Sequence, residues 1–452
     1  MAFNVRLNIS EQWLFSCINA LFGFLLVTIL LVPYLFLNFL EIPSILRLLI
    51  RHFPFVVSVG IVFLWCFLRQ ADILNCVRRM PLGFVVICLL GSSLLSSLGS
   101  DKVGMSLAKD IYYFVTGGLL FLIAGDLYFE NNNTRRVLLL FVCAGYLVAL
   151  YGIFEIWTGT NVVFGSVFSP ENEIYLRMSP DPWFGNRILS SIGHPVFLGG
   201  LLVMVLPISF SFFVLEKNLV WQIGFLVGTL ALFVALILTF SRGAWIAGFI
   251  ASVSYLFLRR VQPLWYVGSL GVVVAGVLVV LFSFQGLADV FAVRITEAYE
   301  LYVLDFASTS RGKALGHTVE ILGLSPLLGV GTGMYRFKAY TLGRDVLWPP
   351  TLDTPDNMYL LWIAEQGVLG LFFVILFITH FFRLFSIRLQ ASGDASQNEL
   401  VLGLAACFIG FFVNMFTCSA LTFPPTRIVF WILAGVSMAM LSSSPTAIKV
   451  QR

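Results

Sequence analysis

Charged residues are scarce in this sequence. Asp, Glu, Lys and Arg make up 11% of its 452 residues, whereas 59% of the residues are hydrophobic. A soluble globular domain usually carries about 25% charged residues. The composition therefore excludes a soluble globular protein and indicates an integral membrane protein.

Cysteine pairs and nucleotide motifs are also missing. The seven cysteines lie within or beside apolar runs, and no two of them have the C-x-x-C spacing of metal or redox sites. An extracytoplasmic disulfide framework is therefore not expected. The GVGTG stretch at 329–333 has no following GK[ST], so it predicts a tight turn rather than a nucleotide loop.

Apolar runs recur along nearly the whole chain. A helix needs about 20 apolar residues to cross the hydrocarbon core, and backbone polar groups in lipid must be satisfied within the segment. We therefore predict an all-α polytopic membrane protein. Its twelve predicted spans are 13–39, 53–69, 81–98, 111–130, 137–157, 195–214, 219–239, 243–258, 263–283, 358–384, 398–418 and 422–442.

The predicted organisation has three parts. Residues 1–136 form an amino-terminal transmembrane scaffold, residues 137–442 a second membrane domain, and residues 443–452 a cytoplasmic tail. The first apolar run is too long for a signal-peptide core and is predicted to be a retained span.

The Lys and Arg residues between the spans give an orientation. With the amino terminus inside, the inner segments carry thirteen of the 27 Lys and Arg residues and the short outer turns carry six. The thirteen are Arg6, Arg69, Arg78, Arg79, Arg135, Arg136, Lys217, Arg259, Arg260, Arg383, Arg388, Lys449 and Arg452. The six are Arg47, Arg51, Lys102, Lys109, Arg242 and Arg427. The other eight lie in two long loops, which count little in the positive-inside rule.

These two loops, about 158–194 and 284–357, are predicted on the outer face. The net charge of +4 then follows mainly from topology and gives no argument for nucleic-acid binding. The second loop is a long polar insertion, and loops of this length usually have a function. We predict a surface helix over 289–306, a second helix from the cap at 308–310 to about Leu322, and a membrane-embedded site beneath the loop.

The candidate site residues on the predicted outer side are mostly cationic. An arginine inside an apolar sequence is costly in lipid, so Arg242 should face a cavity or an anion, or else extend to the interface. Arg311 in the first turn of a helix opposes the helix dipole, which favours an anionic partner. Arg187 could equally anchor a lipid headgroup, and a histidine placed like His194 is more often a capping or packing group than a ligand.

Two acidic residues complete the set of candidates. Asp356 could cap the tenth predicted span or act as a base, and Glu365 lies about two turns inside that span. A carboxylate at that depth needs a partner, so Glu365 is expected to pair with an arginine or an amide.

Several arginines with few carboxylates suit a polyanion, because a guanidinium fork matches phosphate oxygens. The membrane setting suggests that the polyanion carries a lipid tail. Without ATP outside, the donor must already be activated, as a polyprenyl pyrophosphate-linked sugar is. Arginines could then stabilise the departing pyrophosphate, and Asp356 could accept the proton of an attacking hydroxyl.

Three stretches occur in an order that carries a family resemblance. They are GNRILSSIGHPVFLGG, LTFSRGAWIAG, and STSRGKALGHTVEILGLSPLLGVGTGMYRF combined with DNMYLLWIAEQGVLG. Over roughly residues 140–440, the chain resembles the O-antigen ligase and O-antigen polymerase family of bacterial inner-membrane glycosyltransferases, which includes protein-glycosylating ligases.

The resemblance implies a helical, GT-C-like membrane fold with a large periplasmic loop. It further implies an undecaprenyl pyrophosphate-linked glycan donor, a glycan or lipid A-core acceptor, and transfer without a metal or other cofactor. Other polysaccharide-assembly proteins are candidate partners.

The family residues transfer to named positions of this sequence. Arg242 and Arg311 match family arginines, and Arg187 and His194 match the R…GHP stretch. Ligases of the family have a histidine before the asparagine of HN-x-x-L. Here Asp356 precedes Asn357, which favours a polymerase or another exopolysaccharide enzyme. Asn357 and Glu365 are expected to contribute to substrate binding.

Two other classes of function remain open. A transporter or flippase for a lipid-linked or anionic solute is compatible with twelve spans and buried charges. A non-catalytic scaffold of a polysaccharide-assembly complex is the third possibility. Inverted repeats would favour a transporter, but the polar features lie mainly in the second half and no internal repeat is found.

Overall fold

The computed structural model describes residues 9–31, 44–69, 72–130, 133–158, 161, 187–260, 296, 310–342, 354–390 and 395–442. Within these ranges the chain forms helices joined by short turns, and no strand occurs. The helices of the first half are α1 (Ile9–Leu31), α2 (Ser44–Arg69), α3 (Ile73–Arg79), α4 (Gly83–Leu98), α5 (Val103–Tyr113), α6 (Leu119–Glu130) and α7 (Thr134–Thr158). A π-helix, Phe114–Gly118, joins α5 to α6.

The second half begins at the end of the first long loop. Its helices are α8 (Pro195–Leu215), α9 (Leu219–Leu238), α10 (Arg242–Leu258), α11 (Ser310–Leu324), α12 (Tyr335–Thr341), α13 (Met358–Gln390), α14 (Ala395–Asn414) and α15 (Pro424–Ser442). A short 3-10 helix, Ala420–Thr422, precedes α15.

Eleven of the twelve predicted spans coincide with helices. In the described part of the chain, nine helices are long and apolar enough to cross a membrane, and α4 and α10 are shorter apolar helices. The chain is therefore an all-α polytopic membrane protein, as predicted. The end of the first predicted span (32–39), the predicted span 263–283, the surface helix 289–306 apart from residue 296, and most of the first long loop lie outside the described residues. The predicted helix after the 308–310 cap is confirmed as α11.

The helix ends group in the way that the alternating topology predicts. At the predicted inner end, Arg69 of α2 pairs with Asp126 of α6 at 2.8 Å, and Arg259 pairs with Glu399 at 3.4 Å. At the predicted outer end, the amide of Met358 donates to the carbonyl of Met415 at 2.9 Å. Every candidate site residue lies toward this outer end.

Helix α13 is broken near its outer end at Gly367, whose φ is 65°. Around this break, backbone groups that leave the helix form hydrogen bonds with the turn between α11 and α12. The amide of Val368 donates to the carbonyl of Pro326, and the amides of Val330 and Gly331 donate to the carbonyls of Ala364 and Glu365. A polar break is tolerated at membrane depth only where protein satisfies the backbone, and this turn does so.

Candidate functional site

Two turns at the outer end organise the candidate residues. The first, which we call the SRG turn, covers residues 239–243, from the end of α9 through the first two residues of α10. The second, the TCS turn, covers residues 415–419 after α14. The turns touch each other: a Cβ added at Gly243 would lie 1.9 Å from Oγ1 of Thr417. Only glycine fits at this contact, so the side chain beside it, Arg242, is held next to the TCS turn.

Arg187 and its loop are bonded to the SRG turn. Nε of Arg187 donates to the carbonyl of Thr239 at 2.9 Å. One residue later, the amide of Ile188 donates to the carbonyl of Leu238 at 3.1 Å. Glu155 of α7 accepts from the next two amides, those of Leu189 and Ser190, at 3.1 and 2.8 Å. The segment before α8 is thereby hydrogen-bonded to the end of α9 and the SRG turn on one side and to α7 on the other.

His194 serves as the amino-terminal cap of α8. Its Nδ1 accepts from the amide of Val196 at 3.3 Å, and its ring packs on Phe197 with centroids 4.9 Å apart. Burial, with a smaller contribution from the Arg187 cation, lowers the pKa of His194 to about 3. The imidazole is therefore neutral at physiological pH, which agrees with the capping role weighed from the sequence.

Arg311 and Asp356 come together against the TCS turn. Nη2 of Arg311 donates to the carbonyl of Thr417 at 3.3 Å. Burial raises the pKa of Asp356 from 3.8 to about 6, and the Arg311 cation opposes that rise. The two charges also act on the same neighbour, because the buried thiol of Cys418 has its pKa raised by burial and by Asp356 and lowered by Arg311.

Asn357 caps α13, so the prediction that Asp356 could cap this helix is wrong. Oδ1 of Asn357 accepts from the amides of Tyr359 and Leu360 at 2.9 and 3.1 Å, and Nδ2 donates to the carbonyl of Phe416 at 3.0 Å. Asp356 instead adopts a left-handed backbone conformation, with φ of 47°. Because its neighbour provides the cap, the Asp356 carboxyl is available for another role.

Glu365 lies apart from these residues. Its Oε1 accepts from the backbone amide of Tyr335 at 3.2 Å, so its partner is a main-chain amide rather than an arginine. The carboxyl is buried beneath the turn that contains Gly329, Gly331 and Gly333, all with positive φ. The GVGTG stretch is thus a tight turn, as predicted.

This glycine turn also packs against the amino-terminal half of the chain. Oγ of Ser93 lies 2.8 Å from Oγ1 of Thr332, and Oγ of Ser106 donates to the carbonyl of Thr332 at 3.0 Å. Ser93 lies in α4 and Ser106 in α5, so serines of both helices are hydrogen-bonding partners of the second loop.

Two further residues escaped the sequence analysis. Thr417 joins the SRG turn to Arg311, and its only signal in sequence is a short polar break, TCS, between two apolar runs. Arg427 was counted among the short outer turns, and its burial was not predicted: it is 2% exposed, inside the first turn of α15. Its Nε donates to Oγ1 of Thr116 in the π-helix at 3.1 Å, and its guanidinium lies over the rings of Tyr112 and Tyr113.

The fold and these clustered charges define a class, that of polytopic helical membrane proteins with a polar site at one end of the bundle. Within that class, residues 227–375 match the model of the O-antigen ligase family, so the chain is similar to that family over this part. The match includes Arg242, Arg311, Asp356, Asn357 and Glu365. It begins after Arg187 and His194, which therefore lie outside it. It is narrower than the 140–440 resemblance. No curated protein matches the chain.

Proposed function

We propose that the protein transfers or polymerises a glycan from an undecaprenyl pyrophosphate-linked donor onto an acceptor hydroxyl, in the bacterial inner membrane and on its periplasmic side. The observation that carries the proposal is that Arg311 and Asp356 both lie beside one turn, the TCS turn, which also contacts Gly243, the residue after Arg242. Arg242, Arg311 and Asp356 all lie within residues 227–375, which match the O-antigen ligase family model. Metal-independent transfer is part of the same proposal.

The proposed reaction assigns each of the three residues a role. The acceptor oxygen forms a bond to the anomeric carbon while the bond from that carbon to the pyrophosphate oxygen breaks. Asp356 accepts the hydroxyl proton, and the electron pair leaves with the lipid pyrophosphate. Arg242 and Arg311 stabilise the charge on that leaving group, because a guanidinium fork bonds two phosphate oxygens at once.

Arg187 and His194 support this site indirectly in the proposal. Arg187 bonds the carbonyl of Thr239, and His194 fixes the start of α8, so both stabilise the SRG turn that presents Arg242. Asn357 does the same for Asp356 by capping α13 and bonding Phe416. Their contribution to substrate binding would then come mainly through positioning.

The proposal is tested in cells that lack the gene. Loss of this protein should shorten surface polysaccharide or detach it, and the wild-type gene should restore it whereas Arg311→Ala should not. Membrane levels of the variant are checked by immunoblot. A deletion strain with surface polysaccharide of normal length and attachment would count against the proposal, and rescue by Arg311→Ala would exclude the assigned role of that residue.

A further inference from the structure

A cavity lies away from the arginine-bearing turns. It has a volume of about 430 Å³ and is enclosed by α4, α5, the π-helix, α13 and α15. None of Arg187, Arg242, Arg311 and Asp356 lines it. This volume lies within the usual range of about 300 to 1,000 Å³ for small-molecule sites. We call it the lateral pocket.

The mouth of the lateral pocket is apolar. The lining residues Ile87, Leu94 and Ile111 are 45%, 47% and 59% exposed on the lateral surface of the helix bundle. In a membrane protein such a surface faces lipid. A ligand that enters between α4 and α5 therefore comes from the bilayer and brings an apolar chain.

The inner end of the pocket contains polar atoms without partners. Within the described structure, Oδ2 of Asp110, Oε1 of Gln366 and Nη2 of Arg427 are buried and make no hydrogen bond, and all three residues line the cavity. Gln366 and Arg427 are 7% and 2% exposed. A buried polar group without a hydrogen-bond partner is destabilising, so these atoms favour an occupant that bonds them.

The other atoms of these side chains are already fixed. Nε2 of Gln366 donates to Oγ of Ser93 at 3.2 Å, and that hydroxyl donates to Oδ1 of Asp110. Nε and Nη1 of Arg427 donate to Thr116 and to the carbonyls of Leu421 and Thr422. The unpartnered atoms are therefore held in place. They present two acceptors and one donor.

Charge and hydrogen-bonding capacity together restrict the ligand. The charged residues that line the pocket are one arginine and two carboxylic acids, Asp110 and Glu365, so a phosphate gains little there. A hydroxyl both donates and accepts, and it can therefore satisfy acceptors and a donor side by side. The aromatic rings of Trp362 and Trp431 line the same space and suit an apolar body or a sugar ring.

We propose that the lateral pocket binds an uncharged amphiphile whose polar end carries hydroxyl groups and whose body is a hydrocarbon chain. The hydroxyls bond Asp110, Gln366 and Arg427, and the chain extends through the mouth between α4 and α5 into the bilayer. The π-helix is consistent with such a site, because π-bulges often occur at functional positions. This site is independent of the proposed glycosyl transfer.

The test uses an octyl glucoside that carries a photoreactive diazirine in its alkyl chain. The purified full-length protein is labelled in phosphatidylcholine nanodiscs, and the labelled peptides are located by mass spectrometry. Labels should concentrate on α4, α5 and α15. Unlabelled octyl glucoside should compete, whereas octyl phosphate, with the same chain and an anionic head, should not.

Variants test the polar end of the lateral pocket. Gln366→Leu and Asp110→Asn should each lower labelling about five-fold, the effect of one lost hydrogen bond. Gln222→Leu, on the lipid-exposed helix α9, is the matched control and should label like the wild type. Folding is checked by size-exclusion elution. Labels spread over the whole lipid-facing surface, equal competition by octyl phosphate, or unchanged labelling of both folded pocket variants would overturn the proposal.

Discussion

Arg242 and Arg311 carry the catalytic proposal at the scale of single residues. Replacing either with alanine should lower glycan transfer by about 100-fold or more, because each removes a charge-stabilising donor from the leaving group. The lysine variants keep the charge but cannot donate two parallel hydrogen bonds as a guanidinium does, so they should retain partial activity. Initial rates with purified protein are the measurement.

The control for both arginines is Arg136→Ala. Arg136 is exposed at the predicted inner end, away from both turns, and its loss should leave the rate unchanged. Full activity in Arg242→Ala or Arg311→Ala would remove that residue from the mechanism.

Asp356 gives the site a pH dependence. Burial raises the pKa of this carboxyl to about 6, so it is protonated below that pH and cannot accept a proton there. Transfer should therefore rise between pH 5 and 7, with a midpoint near 6, and level off above. Asp356→Asn should have little activity and no such rise, whereas Glu216→Gln at the opposite end should keep the wild-type profile.

A flat profile between pH 5 and 7 in the wild type would contradict a base role for Asp356. Asp356→His adds a second comparison, because a histidine at this position is what the family resemblance implies for ligases. If the base role is right, this variant should retain transfer that Asp356→Asn loses.

The glycine turn between α11 and α12 is the element whose geometry is most constrained. Gly329 has a φ of 73°, and a Cβ added there would lie 2.4 Å from the backbone of Glu365. Gly329→Ala should therefore undock the turn from the break in α13 and lower the midpoint of thermal unfolding. Left-handed backbone alone costs about 1 to 2 kcal/mol for a residue other than glycine.

Gly316→Ala provides the matched control for this prediction. Gly316 lies in α11, where a Cβ would meet nothing within 4 Å. Alanine in a helix is favoured over glycine by about 0.5 to 1 kcal/mol, so this variant should be as stable as the wild type or more so. Equal melting temperatures for Gly329→Ala and the wild type, measured in the same detergent, would show that the turn is not held as described.

The SRG turn also depends on a glycine, because Gly243 leaves room for Thr417 of the TCS turn. Gly243→Ala should displace Thr417 and reduce transfer, and the double variant Gly243→Ala with Thr417→Gly should recover part of the loss, because it removes the Thr417 hydroxyl and Cβ that would lie 1.9 and 2.5 Å from the added methyl. A single variant with normal activity would mean that the two turns need not touch for function.

The helical membrane fold of the whole molecule was largely predictable, because the length of its apolar runs is a property of the chain alone. Individual residues were predicted well where local chemistry dominates, as for the glycine turn and the histidine cap. The burial of Arg427 was not predicted, because it depends on a π-helix more than 300 residues away in sequence. Thr417 and the serines of α4 were missed for the same reason: their partners are brought together only by the packed bundle.

The orientation of the bundle remains a prediction at this scale. Alkaline phosphatase fused after Glu216 should be inactive, because that turn is predicted inside, and the same enzyme fused after Leu342 should be active outside. The opposite pattern would place the arginine-bearing turns on the cytoplasmic face and contradict a periplasmic site.

The central claim is that this protein performs glycosyl transfer through the arginine-bearing turns. The most direct measurement incubates the purified protein in detergent with an undecaprenyl pyrophosphate-linked oligosaccharide and with glycan, lipid A-core or protein acceptors, and detects extended or ligated product by mass spectrometry. We expect product with the wild type and none with Arg311→Ala. A transporter needs a sealed membrane and a scaffold needs its partners, so absence of product from folded wild-type protein with every acceptor would exclude glycosyl transfer by this protein alone.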